Sequence, residues 1–310
     1  MKALEDFVHR VETDNLKVEG ILVYREGTEI FSHRWTPDRE RNIYSNTKSF
    51  AATAVGIAID DGILSLEDRL VDVFPDKVPK GGNPGLEKIT LKSLLTMSSG
   101  FEKRLLFVEG RRSGEGFPDY VAYMMSQPVV QEPGSHFFYS TGDSCLFARM
   151  LEAKTGKNLA EYMYERVFRP MDIPYSMWEC CPQGHPLGGS GLCLRLADMA
   201  KLGQLYLEGG KWKGNQIVSN AWVKEAVKKQ IENPVFDENG KERKLPWDGH
   251  GYGYQFWLSE YPDSYRADGA YGQITMVLPR QQMVIAVQCP EEGHFSQVQR
   301  ALHEMIVELV

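Results

Sequence analysis

Ser45-Asn46-Thr47-Lys48 places a hydroxyl and an amine three residues apart at the head of an apolar stretch. On a helix, positions i and i+3 share a face, so the amine can reach the hydroxyl. A serine hydroxyl attacks a carbonyl only when a neighbouring base takes its proton. A lysine serves as that base when burial or nearby positive charge lowers its pKa. The N-terminus of a helix adds a positive field and free N–H groups, which favour negative charge developing on a substrate oxygen. The chemistry such a pair would do is acyl transfer through a serine ester. Alone, the tetrapeptide carries little weight, since a Ser-x-x-Lys arises by chance about once in a chain of this length. The competing reading is a Ser N-cap followed by a solvated lysine.

The elements around the pair give it a setting. From Ser45 to Ile59 the residues are apolar nearly all round (Phe50, Ala51, Ala52, Ala54, Val55, Ile57, Ala58), which predicts a helix buried between layers, stopped by Asp60-Asp61-Gly62. Ahead of it, Met1–Arg10 reads as an amphipathic helix rather than an export signal, and Ile21–Arg25 with Thr28–Trp35 as a hairpin turning at Glu26-Gly27. Helical segments broken by Pro and Gly fill the middle: Leu91–Met97, Asp119–Ser126, Asp143–Lys154 and Leu159–Phe168, the last with Asn158 as N-cap. Two more follow at Leu196–Glu208 and Asn220–Ile231. Tyr252–Leu258, Gln273–Leu278 and Met283–Gln288 read as strands, and the segment from Phe295 to Leu309 as a helix. Strands at both ends and helices between them predict an α/β (α+β) fold: one antiparallel sheet flanked by helices, with a mostly helical insertion. The expected division is 1–63 with 190–310 as the sheet part and 64–189 as the helical part, with a cleft where they meet.

Composition limits the partners. The chain has 310 residues, 42% hydrophobic and 25% charged, with a net charge of −7, which fits a globular protein and disfavours nucleic acid or an anionic membrane. Arg111-Arg112 and Lys228-Lys229 are short basic pairs that read as solvated surface. No apolar run reaches membrane-spanning length. Five cysteines in a chain this long suggest a reducing compartment, so a cytoplasmic location is expected. Cys180, Cys181, His185 and Cys193 lack the spacing of a zinc site, and His303-Glu304 reads as helix surface. There is no P-loop, dinucleotide fingerprint, HExxH or Gly-x-Ser-x-Gly, so neither metal nor cofactor is expected.

Several collinear blocks resemble the serine β-lactamase and penicillin-binding-protein superfamily, in its class C-like branch of β-lactamases, carboxypeptidases, esterases and amidases. After the Ser-x-x-Lys helix come Asp61-Gly62-Ile63-Leu64-Ser65-Leu66-Glu67-Asp68 and Ile89-Thr90-Leu91-Lys92-Ser93-Leu94-Leu95-Thr96-Met97-Ser98-Ser99-Gly100. Pro133-Gly134-Ser135-His136-Phe137-Phe138-Tyr139-Ser140-Thr141-Gly142 and Gly188-Gly189-Ser190-Gly191-Leu192, with Ala197-Asp198-Met199-Ala200-Lys201-Leu202, complete the match. The resemblance implies a β-lactamase/transpeptidase-like fold and a set of site residues. Ser45 is then the nucleophile and Lys48 its activating partner. Tyr139 is a proton shuttle beside them, with Thr141 where the family usually has Asn, as a substrate contact. The family's Lys-Thr-Gly or His-x-Gly strand falls on Ala267-Asp268-Gly269. Gly269 and Asp268 would then border the substrate, and the N–H groups of Ser45 and Ala270 would form the oxyanion hole.

Ala267 replaces the cation suited to anchoring a substrate carboxylate, and Arg266 should face the other side of the strand. The expected activity is therefore hydrolysis of a small amide or ester through an acyl-Ser45 intermediate. The alternatives are a true class C-like β-lactamase or D-alanyl-D-alanine carboxypeptidase, or a non-catalytic sensor on the same scaffold. Whether Lys48 or Tyr139 is the base stays open at this level.

Overall fold

Strand β1 (Gly20–Arg25) is buried on both faces over its first four residues, so it must lie inside a sheet covered on both sides. The computed structural model, which describes residues 2–310, shows how this comes about. With β2 (Thr28–Arg34), β3 (Trp257–Leu258), β4 (Tyr265–Gly269), β5 (Gln273–Leu278) and β6 (Met283–Gln288), it forms a six-stranded sheet in the order β2-β1-β6-β5-β4-β3. Every neighbouring pair is antiparallel. The two ends of the chain thus build one sheet, as the sequence predicts.

The period of two along each strand sorts the side chains between two layers. Ile21 and Val23 of β1, Ile274 and Met276 of β5, and Ile285 and Val287 of β6 pack on one face. They meet Leu4, Phe7 and Val11 of α1 (Lys2–Thr13) and Val298, Leu302 and Ile306 of the C-terminal helix Phe295–Leu309. On the other face, Leu22 and Ala286 meet Leu196 and Ala200 of the helix Leu196–Leu207, while Ala267, Val277 and Val284 join the large core around α2 (Thr47–Asp60).

Helix α2 sits between the sheet and the helices of the middle of the chain. Twelve of its 14 residues, Thr47 to Ala58, are buried, which accounts for its all-round apolar sequence. The helices Thr141–Thr155 and Leu159–Met163 pack on its far side, with Phe147 and Leu151 in the shared core, and Leu91–Leu95 and Tyr120–Ser126 pack in turn on Thr141–Thr155. Asn158 caps its helix by accepting the Glu161 N–H at 2.9 Å, and Ser219 caps the helix Asn220–Ala226 by accepting that of Trp222. Among the described residues, no helix is long and apolar enough to cross a membrane.

Three local expectations change. The helix from Asn220 stops at Ala226. Of the stretch Tyr252–Leu258 only Trp257–Leu258 joins the sheet. Gly253 donates to the Phe256 carbonyl and Gln255 adopts φ 64°, so the preceding residues turn instead of extending. His303 is not free surface either: its ring meets the Tyr261 hydroxyl and lies 3.3 Å from a Glu260 carboxylate oxygen.

Candidate active site

The nucleophile candidate does not sit within α2 but in a 3₁₀ turn, Tyr44–Asn46, that leads into it. Tyr44 takes φ 48°, an unusual value for an aromatic residue, and the turn is held from behind. Buried Asn46 donates to the Ala267 carbonyl at 3.0 Å and lies 3.3 Å from the Gln273 carbonyl and the Thr275 hydroxyl. One side chain thereby fixes the Ser45 turn to β4 and β5. Gly269 permits the same approach, because a Cβ there would stand 2.1 Å from the Ile43 carbonyl oxygen. Ser45 remains partly exposed between these buried supports.

Lys48 is 1% exposed. Its Nζ lies 3.1 Å from Ser45 Oγ, 2.6 Å from the Gly189 carbonyl oxygen and 3.5 Å from Thr141 Oγ1. Burial disfavours the ammonium and brings the pKa down from 10.5 to about 7. The charge of Arg111 pushes the same way, while Cys145 and Asp143 oppose it. Gly189 lets its turn come this close, since a Cβ there would lie 2.8 Å from Thr141 Cγ2.

Tyr139 meets Lys48 through its ring, with Nζ 5.1 Å from the centroid. Burial raises the phenol pKa above its ordinary value, the Ser45 hydroxyl lowers it, and the charge of Asp268 raises it further. The ring is fixed by a wall of aromatics, with centroids 5.3 Å from Trp257, 6.2 Å from Phe107 and 6.4 Å from Phe137. Thr141 opens the helix Thr141–Thr155 directly behind it. Ser45, Lys48, Tyr139 and Thr141, up to 96 residues apart in sequence, are thus brought to one place.

The β4 residues divide between the two faces of the strand. Asp268 is 8% exposed and accepts from Arg266 Nε at 2.8 Å, so positions 266 and 268 share the face opposite Ala267. The Arg266 guanidinium also donates to the Trp247 carbonyl, to Ser259 Oγ at 2.9 Å and to Asp248 at 3.1 Å. Its charge is spent inside the protein. Burial lifts the Asp268 carboxyl from 3.8 to about 6 against the pull of Arg266. Ala270 follows Gly269 at the exposed end of β4.

Two further charged side chains act on Lys48 through their fields, and sequence reasoning missed both. Asp143 is fully buried, accepts from Ser99 Oγ at 2.8 Å, and is pushed up to about 7 by desolvation. Its only signal in the sequence is an acid in the first turn of a helix. Arg111 was expected on the surface, yet its side chain is 5% exposed and pairs with Glu179 at 3.2 Å. Its sequence position, in a charged run between helices, carries no hint of this. Beside the Ser45 turn lies a cavity of about 380 Å³ whose lining includes Asn42, Tyr44, Arg111, Arg112, Glu179 and Glu291. Among the cysteines and His185 set aside above, His185 Nδ1 lies 2.9 Å from a Glu152 carboxylate oxygen and beside Arg149.

A family model described as Beta-lactamase matches residues 9–303. Over 190 residues the chain is 29% identical to lovastatin esterase of Penicillium rubens, a match that covers 54% of this chain and 46% of that protein. It therefore spans less than half the length of that relative. The 6-aminohexanoate-dimer hydrolase of Paenarthrobacter ureafaciens is 22% identical over 297 residues, covering 91% of this chain and 74% of that one. In three dimensions the chain resembles the octameric penicillin-binding protein homologue from Pyrococcus abyssi, with a TM-score of 0.74 at 20% identity, over 99% of this chain and 77% of that one. The structural likeness is one of fold.

Proposed function

Because the chain belongs to the Beta-lactamase family, we propose that it is a serine hydrolase cleaving a small amide or ester through an acyl-Ser45 intermediate. The observation that carries this reading is the buried Lys48 amine, 3.1 Å from Ser45 Oγ and with its pKa brought down to about 7. At neutral pH about half of such an amine is unprotonated and able to accept a proton. A neutral amine has two N–H donors and one lone pair. The Gly189 carbonyl and the Thr141 hydroxyl take the donors, which leaves the lone pair for the Ser45 O–H.

The steps follow from this arrangement. Lys48 takes the Ser45 proton as Oγ bonds to the substrate carbonyl carbon. The carbonyl electrons move to oxygen, which the N–H groups of Ser45 and Ala270 receive. The tetrahedral intermediate collapses, the bond to the leaving amine or alkoxide breaks, and the Lys48 proton goes to that group, directly or through Tyr139. Water then gives a proton to the same base, attacks the acyl-serine, and releases the acid as Ser45 regains its hydrogen. Tyr139 is the relay rather than the base, since its phenol is held above its ordinary pKa.

Two observations favour a substrate without a carboxylate beside the scissile bond. Ala267 offers no cation, and Arg266 is committed to two carboxylates and three other acceptors on the opposite strand face. The names of the relatives, an esterase and a dimer hydrolase, support hydrolysis of small acyl compounds.

Labelling with a fluorophosphonate and peptide mapping tests the nucleophile. A panel of short-chain esters, anilides, carboxylate-bearing analogues and a chromogenic cephalosporin tests the substrate class. The adduct is expected on Ser45, and Ser45→Ala should lose both label and turnover. An unlabelled wild-type protein, or wild-type rates in Ser45→Ala, would overturn the reading. Preference for the cephalosporin over neutral esters would overturn the substrate class alone.

A further inference from the structure

We propose that Arg111 is a positioning residue of this hydrolase, bracing against each other the two segments that hold Lys48; the inference rests on the acyl-Ser45 reading above. Arg111 lies in the last turn of the short helix Val108–Arg112, and its side chain is 5% exposed. One arm of the guanidinium donates to the Leu106 carbonyl at 2.6 Å. The other reaches both carboxylate oxygens of Glu179 at 3.2 Å. A buried fork with two kinds of acceptor fixes both partners in direction as well as distance.

Each partner leads to Lys48 by a short path. On the Leu106 side, Leu105 accepts the Gly142 N–H at 3.0 Å and donates its own N–H to Ser140 Oγ at 3.2 Å. These bonds bracket Thr141 and adjoin Tyr139, and Phe107 lies against the Tyr139 ring. On the Glu179 side, the Glu179 N–H donates to the Gly191 carbonyl at 2.9 Å, and Leu187 N–H donates to the Glu179 carbonyl at 3.0 Å. Those bonds fix both ends of the turn whose Gly189 carbonyl accepts from Lys48 at 2.6 Å. Arg111 therefore joins the Tyr139–Thr141 wall to the Gly189 wall, with the amine between them.

The same guanidinium adds a charge. Lys48 touches the Ser45 hydroxyl, the Thr141 hydroxyl, the Gly189 carbonyl and the Tyr139 ring, and it feels the charges of Cys145, Arg111 and Asp143. Of these, Arg111 alone is a permanent cation, and it disfavours the ammonium against the opposing pull of Asp143 and Cys145. Glu179 screens it, and is itself half exposed.

The test is the pH dependence of kcat/KM on the best neutral ester, measured with fluorophosphonate labelling of the same preparations. Arg111→Met removes fork and charge. Its acid limb should move to higher pH by about half a unit or more, and kcat should fall about 10-fold or more with KM little changed. Arg111→Lys keeps the charge, so its limb should stay near that of the wild type while kcat is only partly restored. Glu179→Gln removes the screening carboxylate and should shift the limb the other way, to lower pH. Damage to packing alone would not shift the two limbs in opposite directions. If Arg111→Met does not fold, the Lys and Gln variants carry the test. Limbs unmoved in Glu179→Gln and in whichever Arg111 variants fold, with wild-type kcat in Arg111→Lys, would overturn the proposal. Absence of label or turnover in the wild type would instead overturn the hydrolase reading itself.

Discussion

Lys48 approaches Tyr139 over the face of its ring, 5.1 Å from the centroid, while the same nitrogen lies 3.1 Å from Ser45 Oγ. The amine and the phenol therefore both address the serine without being bonded to each other. On the proposed mechanism their roles separate on electrostatics: burial favours the neutral amine of the lysine, which can accept a proton, and opposes ionisation of the phenol.

Replacing each in turn checks that separation. Lys48→Ala should lose about 10³-fold in acylation rate, near the range for removing a general base. Tyr139→Phe should lose about 100-fold or less, because the ring and its packing remain. Its kcat/KM should still rise with pH through about 7, the value set by Lys48. Stopped-flow acylation across pH 5–9 gives both numbers. A Tyr139→Phe variant without that acid limb would return the base to the phenol.

Lys48 should also cost the fold stability. The pKa is lowered from 10.5 unfolded to about 7 folded, so between these values the unfolded chain binds the extra proton. Stability from this group accordingly rises as pH climbs from about 7 to 10.5, and the penalty is full below about 7. Lys48→Met should melt above the wild type, with the widest gap at or below neutral pH, on the order of several kcal/mol. The gap should narrow as pH approaches 10. Thermal melts of the two proteins from pH 6 to 10 measure it, and a constant gap would show that the amine is not buried as charge-averse.

The Arg266 cluster makes the opposite kind of prediction. The guanidinium is buried between Asp248 and Asp268. Arg266→Met leaves two carboxylates without their counter-ion, one of them almost fully buried, and should cost about 3–5 kcal/mol. Urea denaturation should show a lower midpoint with an unchanged slope. A loss within error would mean that the cluster relaxes into solvent.

Gly269 is a point of contact rather than of chemistry. In Gly269→Ala the new methyl meets the Ile43 carbonyl at 2.1 Å, so β4 and the Ser45 turn must part. The expected cost is about 1–3 kcal/mol in stability. The loss in acylation should be disproportionate, because Ser45 and Ala270 lie on the two sides that separate. Fluorophosphonate labelling kinetics of the folded variant would show it. Labelling at the wild-type rate would argue against the Ala270 N–H as an oxyanion donor.

Much of this protein is written locally in its sequence. The short apolar runs of β1, β5 and β6, the all-round apolar α2 and the caps at Asn158 and Ser219 depend on near neighbours, and each forms as its pattern requires. The Ser45–Lys48 pair belongs here too, since a three-residue spacing brings the groups together in any helical turn. What the pair can do was decided elsewhere. The lysine loses its preference for the charged form only because the helix Thr141–Thr155 and the turn at Gly189 enclose it, and the contacts that do so lie 93 and 141 residues away. The same holds for Arg111 and Asp143. Burial is a property of the assembled layers, and a charged residue at a helix end looks the same in sequence whether the layers close over it or leave it in water.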